Sequence, residues 1–316
     1  WPDEFLGLLA ADMRIGQFTR FTCFLENHLI GDPTFHFINN SELDIDINQA
    51  LVLQEGNVAF WKKQLNSPMA DMQAMALRQL SMANYSGLVD LLKKSYYESN
   101  YFVVRLEALR LLTLNHPTEV ADVLQTAMND SYELIRRYAV EYVEKNSNPK
   151  LLPAWIESYL LRGHENRHRF RIFSGIDTFD HDTALNELQK QAAKWSFYDS
   201  SYMNELSEYL PRQKKGLERD FTLIGNPEST TKQIQSEISR FRNKPITKAI
   251  EALLNIVKNE NLEEELRVSA AETLGWYNLH YDKATIIKKL NAFQTSNPKL
   301  MNEVTKTIHR LEGKNR

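Results

Sequence analysis

One feature restricts the possible folds of this chain more than any other, namely a short pattern that returns at nearly constant spacing. An arginine recurs at steps of 31 residues, and an alanine recurs at steps of 32 and 31. Around them, apolar residues follow one another at three- and four-residue intervals, which places them on one face of an α-helix. The residues that define the register are Arg105, Arg136, Arg167, Ala76, Ala108 and Ala139. Four helix pairs are therefore predicted over about residues 66–172.

In two copies the predicted second helix begins after a polar turn, with a β-branched residue, an arginine and then an alanine. The segments are Asn100 with Val104-Arg105-x-x-Ala108, and Asp130 with Ile135-Arg136-x-x-Ala139. This pattern resembles the HEAT-repeat family, and it returns as Leu266-Arg267-x-x-Ala270-x-x-x-Leu274, so that the resemblance covers about residues 66–172 and 262–280. It implies an all-α, HEAT-like helical-repeat solenoid. A short irregular or β-containing segment would precede it.

The recurring arginines allow two interpretations. They could form a ladder of ligands for phosphate or carboxylate groups along one surface. They could instead bond turn carbonyls or an acid of the neighbouring repeat. The second interpretation is favoured, because the register by itself explains why Arg105, Arg136, Arg167 and Arg267 recur.

Four regions are expected: an N-terminal segment at 1–50, repeats at 51–173, an irregular helical region at 174–245 and C-terminal helices with a cap at 246–316. In the third region the register is lost, and glycines and prolines are expected to mark helix ends and loops. These residues are Gly175, Pro211, Gly216, Gly225, Pro227 and Pro245. Thr230 and Asp182 are the predicted helix caps. The predicted helices are Thr183–Lys194, Ser201–Leu210, Thr230–Phe241, Thr247–Lys258, Leu262–Asn278, Lys283–Phe293 and Pro298–Leu311.

The first fifty residues differ from the rest. A helix is predicted over Asp3–Met13, an apolar run spans Thr22–Ile30, and short strands or an extended linker are expected from Phe35 to Ile47. Leu29-Ile30-Gly31-Asp32-Pro33-Thr34-Phe35 resembles the closing stretch of gingipain-like cysteine peptidases, over about residues 1–38. The resemblance implies that a catalytic histidine and cysteine would lie upstream of Trp1. It also implies a secreted, periplasmic or cell-surface protein. The alternative is an ordinary turn before a linker, in a cytoplasmic protein.

Charge and hydropathy exclude some classes of function. The net charge is −3, but residues 1–60 hold nine acids and two bases, which leaves 32 acids and 36 bases in the rest. Because residues 61–316 are nearly neutral, they lack the dense cationic surface that nucleic-acid binding normally needs. Apolar stretches fall short of the length required for a transmembrane helix. A protein partner is therefore expected, rather than nucleic acid or a membrane.

The densest basic cluster lies between 162 and 171, and two aromatic residues precede it. These candidate binding residues are Arg162, His164, Arg167, His168, Arg169, Arg171, Trp155 and Tyr159. The cluster could bind an acidic partner, with histidines that add charge at mildly acidic pH. Exposed tryptophan and tyrosine would serve as anchors. A solvated face with scattered charge is the alternative.

No catalytic residue, metal ligand or cofactor is predicted. Cys23, the single cysteine, has apolar neighbours and is expected to be buried rather than nucleophilic. The acidic group Asp177, Asp180, His181 and Asp182 matches no standard calcium loop.

The leading hypothesis is a non-catalytic protein-interaction scaffold, which could be the C-terminal region of a larger gingipain-like peptidase. Two alternatives stand beside it. One is an accessory part of an active cysteine peptidase, and the other is a HEAT-type nucleic-acid-binding protein.

Overall fold

The computed structural model describes residues 4–22, 29–37, 45–195, 200–226 and 228–313. Within these residues the chain is all-helical, with eighteen α-helices, two short 3-10 turns and no strand. It divides into two compact units, Trp1–His116 and Pro117–Arg316. The boundaries predicted after residues 50, 173 and 245 all fall inside one unit or the other. Cys23 lies outside the described residues.

The described residues of unit 1 form seven helices, and the longer ones pack in pairs. Their bounds are α1 Leu6–Ala10, α2 Ile15–Thr22, α3 Ile47–Leu53, α4 Val58–Gln64, α5 Ala70–Met82, α6 Leu88–Glu98 and α7 Phe102–Asn115. Helix α4 packs on α5, α6 packs on α7, and the second helices α5 and α7 pack on each other. Small residues such as Ala76 and Ala108, both fully buried, allow these second helices to approach closely.

A buried group of charged side chains joins the N-terminal segment to α5 and α7. The guanidinium of Arg78 donates from Nη2 to Glu107 Oε2 at 2.7 Å and to Glu4 Oε2 at 2.8 Å. Arg110 Nη1 donates to the same Glu4 oxygen at 2.7 Å. Two arginines thus balance two glutamates, as buried charges require. Burial and the nearby Glu107 carboxylate still raise the pKa of Glu4 above its ordinary value.

The N-terminal segment is less regular than predicted. The helix expected over Asp3–Met13 is only α1, because Phe5 and Asp12 on either side of it have positive φ angles of 61° and 71°. Gly7 sits against α5, where its N–H donates to Asp71 Oδ1 at 3.0 Å. A Cβ atom on Gly7 would lie 2.5 Å from that carboxylate, so a larger residue would have to displace the Asp71 side chain.

Residues 29–37 are exposed and contain a turn at Pro33 and Thr34, where the Phe35 N–H donates to Asp32 O at 3.2 Å, and no strand is formed among them. Backbone N–H groups at the start of α2 bind this stretch, from Ile15 to Phe35 O at 3.0 Å and from Gly16 to Pro33 O at 2.9 Å. The linker alternative therefore describes Phe35–Phe37 better than a strand does. In the rest of the expected strand region, 38–44 lies outside the described residues, and the strand expected to reach Ile47 was wrong there, because Asp46 caps α3 and Ile47 is its first residue. The likeness to gingipain-like peptidases stays a prediction.

Eleven helices lie in the part of unit 2 that the structure describes. Their bounds are α8 Ala121–Ala127, α9 Glu133–Asn146, α10 Leu152–Arg162, α11 Asn166–Gly175, α12 His181–Ala192, α13 Ser200–Gly225, α14 Thr231–Asn243, α15 Ala249–Lys258, α16 Glu264–Leu274, α17 Lys283–Asn291 and α18 Pro298–Glu312. The 3-10 turns are Pro149–Leu151 and Ile176–Thr178. Helix α9 packs on α11 and α10 on α12, whereas α14, α15, α16 and α18 enclose a separate core around Phe241 and Tyr277.

The same hydrogen bond recurs at the start of three second helices. Arg105 Nη1 donates to Ser99 O at 3.1 Å, and Arg136 Nη1 donates to Asp130 O at 2.6 Å. Gln73, at the matching place in α5, donates to Ser67 O at 2.7 Å. Each acceptor lies six residues before its donor, in the turn that precedes the helix. The interpretation that these arginines bond turn carbonyls is confirmed for Arg105 and Arg136.

The other two recurring arginines behave differently. Arg267 Nε donates to Val257 O at 3.0 Å, a carbonyl near the end of the previous helix, so it too bonds the backbone. Arg167 is exposed and is the second residue of α11, whereas Arg105, Arg136 and Arg267 are each the fourth residue of their helices. The 31-residue step therefore does not place Arg167 at an equivalent position. Arg169 holds the fourth place in α11.

Two predicted helix breaks in 174–245 were wrong. Pro211 and Gly216 lie inside α13, a continuous helix of 26 residues that ends at Gly225. Pro211 is exposed, so the carbonyl that loses its partner faces water and the helix continues. Thr230 caps α14 as predicted, in a capping box with Gln233. Asp182 is not the cap of α12, because that helix begins at His181, two residues before the predicted Thr183, and Asp180 accepts the N–H of Thr183 at 3.0 Å.

Candidate functional site

The α10–α11 hairpin carries the predicted binding residues, but it buries both predicted aromatic anchors. Trp155 and Tyr159 are fully buried on the inner face of α10. The Trp155 ring meets Phe179 edge-on at 5.4 Å, and Tyr159 Oη donates to Glu205 Oε2 at 3.0 Å. Burial and this hydrogen bond raise the pKa of Tyr159. Both rings belong to the core, so their expected role as surface anchors was wrong.

His168 is also buried, at 0 % exposure. Ser158 Oγ donates to Met128 O at 2.8 Å and lies 2.7 Å from His168 Nε2. Since the hydroxyl proton of Ser158 is used on the carbonyl, His168 must donate from Nε2 and carry no proton on Nδ1. Burial lowers the pKa of His168 to about 4. The expectation that it adds charge at mildly acidic pH was therefore wrong.

Three of the predicted arginines, Arg162, Arg169 and Arg171, lie beside acids. Arg162 Nη1 lies 3.7 Å from Glu165 Oε1, and Arg169 Nη1 lies 3.7 Å from Glu205 Oε2. Arg169 also covers the ring of Tyr202 at 5.5 Å, which directs it toward α13. Arg169 therefore holds the hairpin to α13, whereas Arg162 pairs within the hairpin, and the charge of both is already partly balanced.

Two of the predicted arginines, Arg167 and Arg171, form one exposed stripe on α11 together with Phe170. Arg167, Phe170 and Arg171 follow at steps of three and one, so they share a helical face. All three are exposed, and Phe170 leaves 70 % of its surface in water. Helix α11 contains three arginines, one histidine and no acidic residue. We call Arg167, Phe170 and Arg171 the α11 stripe. His164 is exposed in the turn before it.

Helix α9 lies beside the α11 stripe and adds further charge. Lys145 Nζ lies 2.9 Å from Glu141 Oε1, and Arg171 Nη2 lies 3.7 Å from Glu141 Oε2. Partial burial acts to raise the pKa of Glu141, but Lys145, Arg171 and Arg137 outweigh it and lower that pKa. Burial raises the pKa of the neighbouring Glu144. Glu141 thus has cations on several sides, which keep its carboxylate charged.

The acidic group at 177–182 meets lysines. Asp177 lies 3.2 Å from His181 Nε2 and 2.9 Å from Lys244 Nζ. Asp180 pairs with Lys248, and Asp182 lies 2.6 Å from Lys214 Nζ. Each carboxylate therefore has a cationic partner. Across the described residues no cluster of three or more ligands could hold a metal ion.

Unit 1 carries a separate groove of ≈ 690 Å³ between α4, α5, α6 and the start of α7. Its charged lining is mixed, with Lys62, Lys94 and Glu98, and Lys94 lies 3.8 Å from Glu98. Lys62 also lies 5.3 Å from the centre of the Tyr85 ring. Because the groove carries both signs of charge, it selects less strongly between acidic and basic partners than the α11 stripe does.

Phe170 was missing from the predicted site, although it lies in the basic cluster. Helical spacing was the available signal, because three- and four-residue steps from Arg167 reach Phe170 and Arg171. No family model and no curated protein matches the chain. In the described part of the chain, every helix is too short or too polar to cross a bilayer.

Proposed function

We propose that this chain is a non-catalytic protein-interaction module whose α11 stripe binds an acidic segment of a partner protein. The segment would carry an aliphatic or aromatic side chain flanked by carboxylates. The observation that carries the proposal is the exposure of Phe170 between Arg167 and Arg171, on a helix without acidic residues.

The physical argument rests on complementarity. An aromatic side chain that is 70 % exposed gains free energy when a partner covers it. Arginine and aromatic residues are also the types that most often dominate binding energy at protein interfaces. Arg167 and Arg171 can each form charge-assisted hydrogen bonds to a carboxylate. A neutral apolar partner would form no ion pair with these two arginines, and a basic partner would be repelled by them.

The helical-repeat interpretation belongs to the same proposal. Its support is the hydrogen bond from Gln73, Arg105 and Arg136 to a carbonyl six residues earlier. The packing of α5 on α7, and of α9 on α11, also supports it. We propose that these helix pairs are HEAT-like repeats, and that the α11 stripe is the exposed face of one second helix.

The proposal can be tested with a fluorescent acidic peptide that contains a central leucine and tryptophan, measured by anisotropy against the full chain. We expect the double variant R167E/R171E and the variant F170A each to weaken binding by about tenfold or more. The matched control is R212E/K232E, which reverses two exposed cations on α13 and α14. Unchanged affinity in both stripe variants would refute the proposal.

A duplex oligonucleotide of similar charge serves as the second probe. Phosphate contacts would give an affinity that falls steeply with salt. The α11 stripe contributes only two cations, so we expect the oligonucleotide to bind more weakly than the peptide. Tighter oligonucleotide binding that is lost in R167E/R171E would favour the nucleic-acid alternative instead.

A further inference from the structure

A small cavity lies inside unit 2, away from the α11 stripe. Its volume is ≈ 220 Å³, and it forms where the turns around residues 147–152, 178–183 and 246–248 meet α13 and Tyr281. Apolar side chains make up most of its interior, namely Leu152, Phe179, Leu217 and Ile246. A cavity of about 150 Å³ holds a benzene molecule, so this one has room for a single ring or branched chain and a small head group.

The walls of the cavity are fixed by hydrogen bonds between distant segments. Ser147 Oγ donates to Pro245 O at 2.8 Å, and the Tyr281 N–H donates to Asn146 O at 2.9 Å. Asn146 Nδ2 in turn donates to Leu279 O at 3.1 Å. These bonds tie together turns separated by about a hundred residues or more. The cavity is therefore preformed, which reduces the entropy lost when a ligand binds.

A buried histidine beside the cavity is neutral. The N–H of Asp282 donates to His280 Nδ1 at 3.1 Å, so His280 carries its proton on Nε2 and donates it to Thr247 Oγ1 at 3.0 Å. Burial lowers the pKa of His280 to about 4. His280 therefore orients Thr247, a lining residue, without adding charge.

The charges at the rim are one of each sign. Asp180 and Lys248 both line the cavity and form an ion pair with each other. His181, the remaining titratable rim group apart from Tyr281, contacts the buried Asp177. A smaller cavity next to this one shares Asp180 and Lys248 and adds Lys214 and Glu218, so it has two charges of each sign.

This charge pattern selects among ligands. The Asp180–Lys248 pair is partly exposed, and exposed pairs contribute little to stability, so a ligand can insert its own charges between them. An anion alone would take Lys248 and leave Asp180 unpaired, and a cation alone would do the reverse. A zwitterion satisfies both charges at once.

We propose that this cavity binds a free α-amino acid with an apolar side chain, its ammonium on Asp180, its carboxylate on Lys248 and its side chain between Phe179, Leu152 and Ile246. Leucine, isoleucine and phenylalanine have the required combination of one branched chain or ring and a zwitterionic head. The site is independent of the α11 stripe.

The test is isothermal titration calorimetry of the full chain with leucine, isoleucine and phenylalanine, up to about 10 mM. We expect saturable binding of at least one of the three. N-acetyl-leucine lacks the ammonium and leucinamide lacks the carboxylate, so each should bind at least tenfold more weakly than leucine. Absence of binding by all three amino acids, or binding of either derivative as tight as that of leucine, would overturn the proposal.

Two variants separate recognition from folding. D180N removes the charge while asparagine still caps α12, and K248A removes the cation at an exposed position. Each should weaken amino-acid binding at least tenfold, while K232A, an exposed lysine on α14, should bind as the original chain does. Circular dichroism melting checks that each variant is folded. Full affinity in folded D180N and K248A would rule out this mode of binding.

Discussion

Arg136 holds the carboxylate of Glu165 with two nitrogens, Nε to Oε2 at 3.1 Å and Nη2 to Oε1 at 2.7 Å. Its third nitrogen, Nη1, donates to Asp130 O at 2.6 Å. Glu165 immediately precedes α11, so one guanidinium fixes both the turn before α9 and the start of the helix that carries the α11 stripe. The position of the proposed binding face therefore depends on a side chain that does not belong to it.

The first prediction follows from this contact. Arg136→Ala leaves the largely buried Glu165 and the carbonyl of Asp130 without their donor, and we expect it to lower the free energy of unfolding by about 2–4 kcal/mol. The control is Lys145→Ala, which removes an exposed pair with Glu141 and should cost about 0.5 kcal/mol or less. Urea denaturation measures both. Equal losses in the two variants would contradict the structural role of Arg136.

The sequence was sufficient to predict the local role of Arg136 and Arg105. Both follow a polar turn and precede a helix with an apolar face, and that arrangement leaves turn carbonyls within reach of a long donor. Arg167 has the same sequence spacing, but α11 begins at Asn166, so Arg167 is placed two positions too early in its helix. A constant spacing predicts equivalent positions only where the helices begin at equivalent places.

Burial in the α10–α11 hairpin was harder to predict. Trp155, Tyr159 and His168 are amphipathic side chains that suit either a surface or a core. Their surroundings come from Phe179, Glu205 and Ser158, and two of these belong to later segments of the chain. Composition and spacing cannot supply those contacts. The exposure of Phe170 depends on the same tertiary packing.

His168 leads to a prediction about pH. Its pKa is lowered to about 4 in the folded chain, below the ordinary value of 6.5, so the unfolded chain binds more protons between these values. Stability contributed by neutral His168 is therefore complete above about pH 6.5 and is lost as the pH falls toward about 4. At about 1.4 kcal/mol per pKa unit, the loss from this residue is about 3 kcal/mol at most.

The measurement is urea unfolding at several pH values, with H168Q as the test variant. Glutamine can still donate to Ser158 but does not titrate, so the dependence on pH between about 4 and 6.5 should become weaker. The buried His280 leaves part of the dependence in place. The matched control is H164Q, which replaces an exposed histidine four residues earlier and should keep the original slope. If H168Q also kept that slope, His168 would not be buried in its neutral form.

Pro211 leads to a prediction of increased stability. It lies inside α13 at an exposed position, where it removes one helical hydrogen bond. Pro211→Ala should raise the free energy of unfolding by about 1–3 kcal/mol. Gly216→Ala in the same helix, where an added Cβ meets nothing within 4 Å, should raise it by about 0.5–1 kcal/mol. Thermal or urea unfolding measures both. A loss of stability in Pro211→Ala would show that the helix is interrupted at this residue.

The proposed binding face leads to a last prediction, about the separate roles of charge and apolar surface. Arg167 and Arg171 act through charge that salt screens over about 8–10 Å, whereas Phe170 acts through burial. Raising the salt concentration should therefore weaken binding of the acidic peptide by the original chain and by F170A in the same proportion. Binding by R167A/R171A should depend much less on salt. Anisotropy titrations at three salt concentrations distinguish these outcomes. A salt dependence that survives removal of both arginines would place the peptide's carboxylates on other cations, with Arg137 and Lys145 of α9 as the next positions to test.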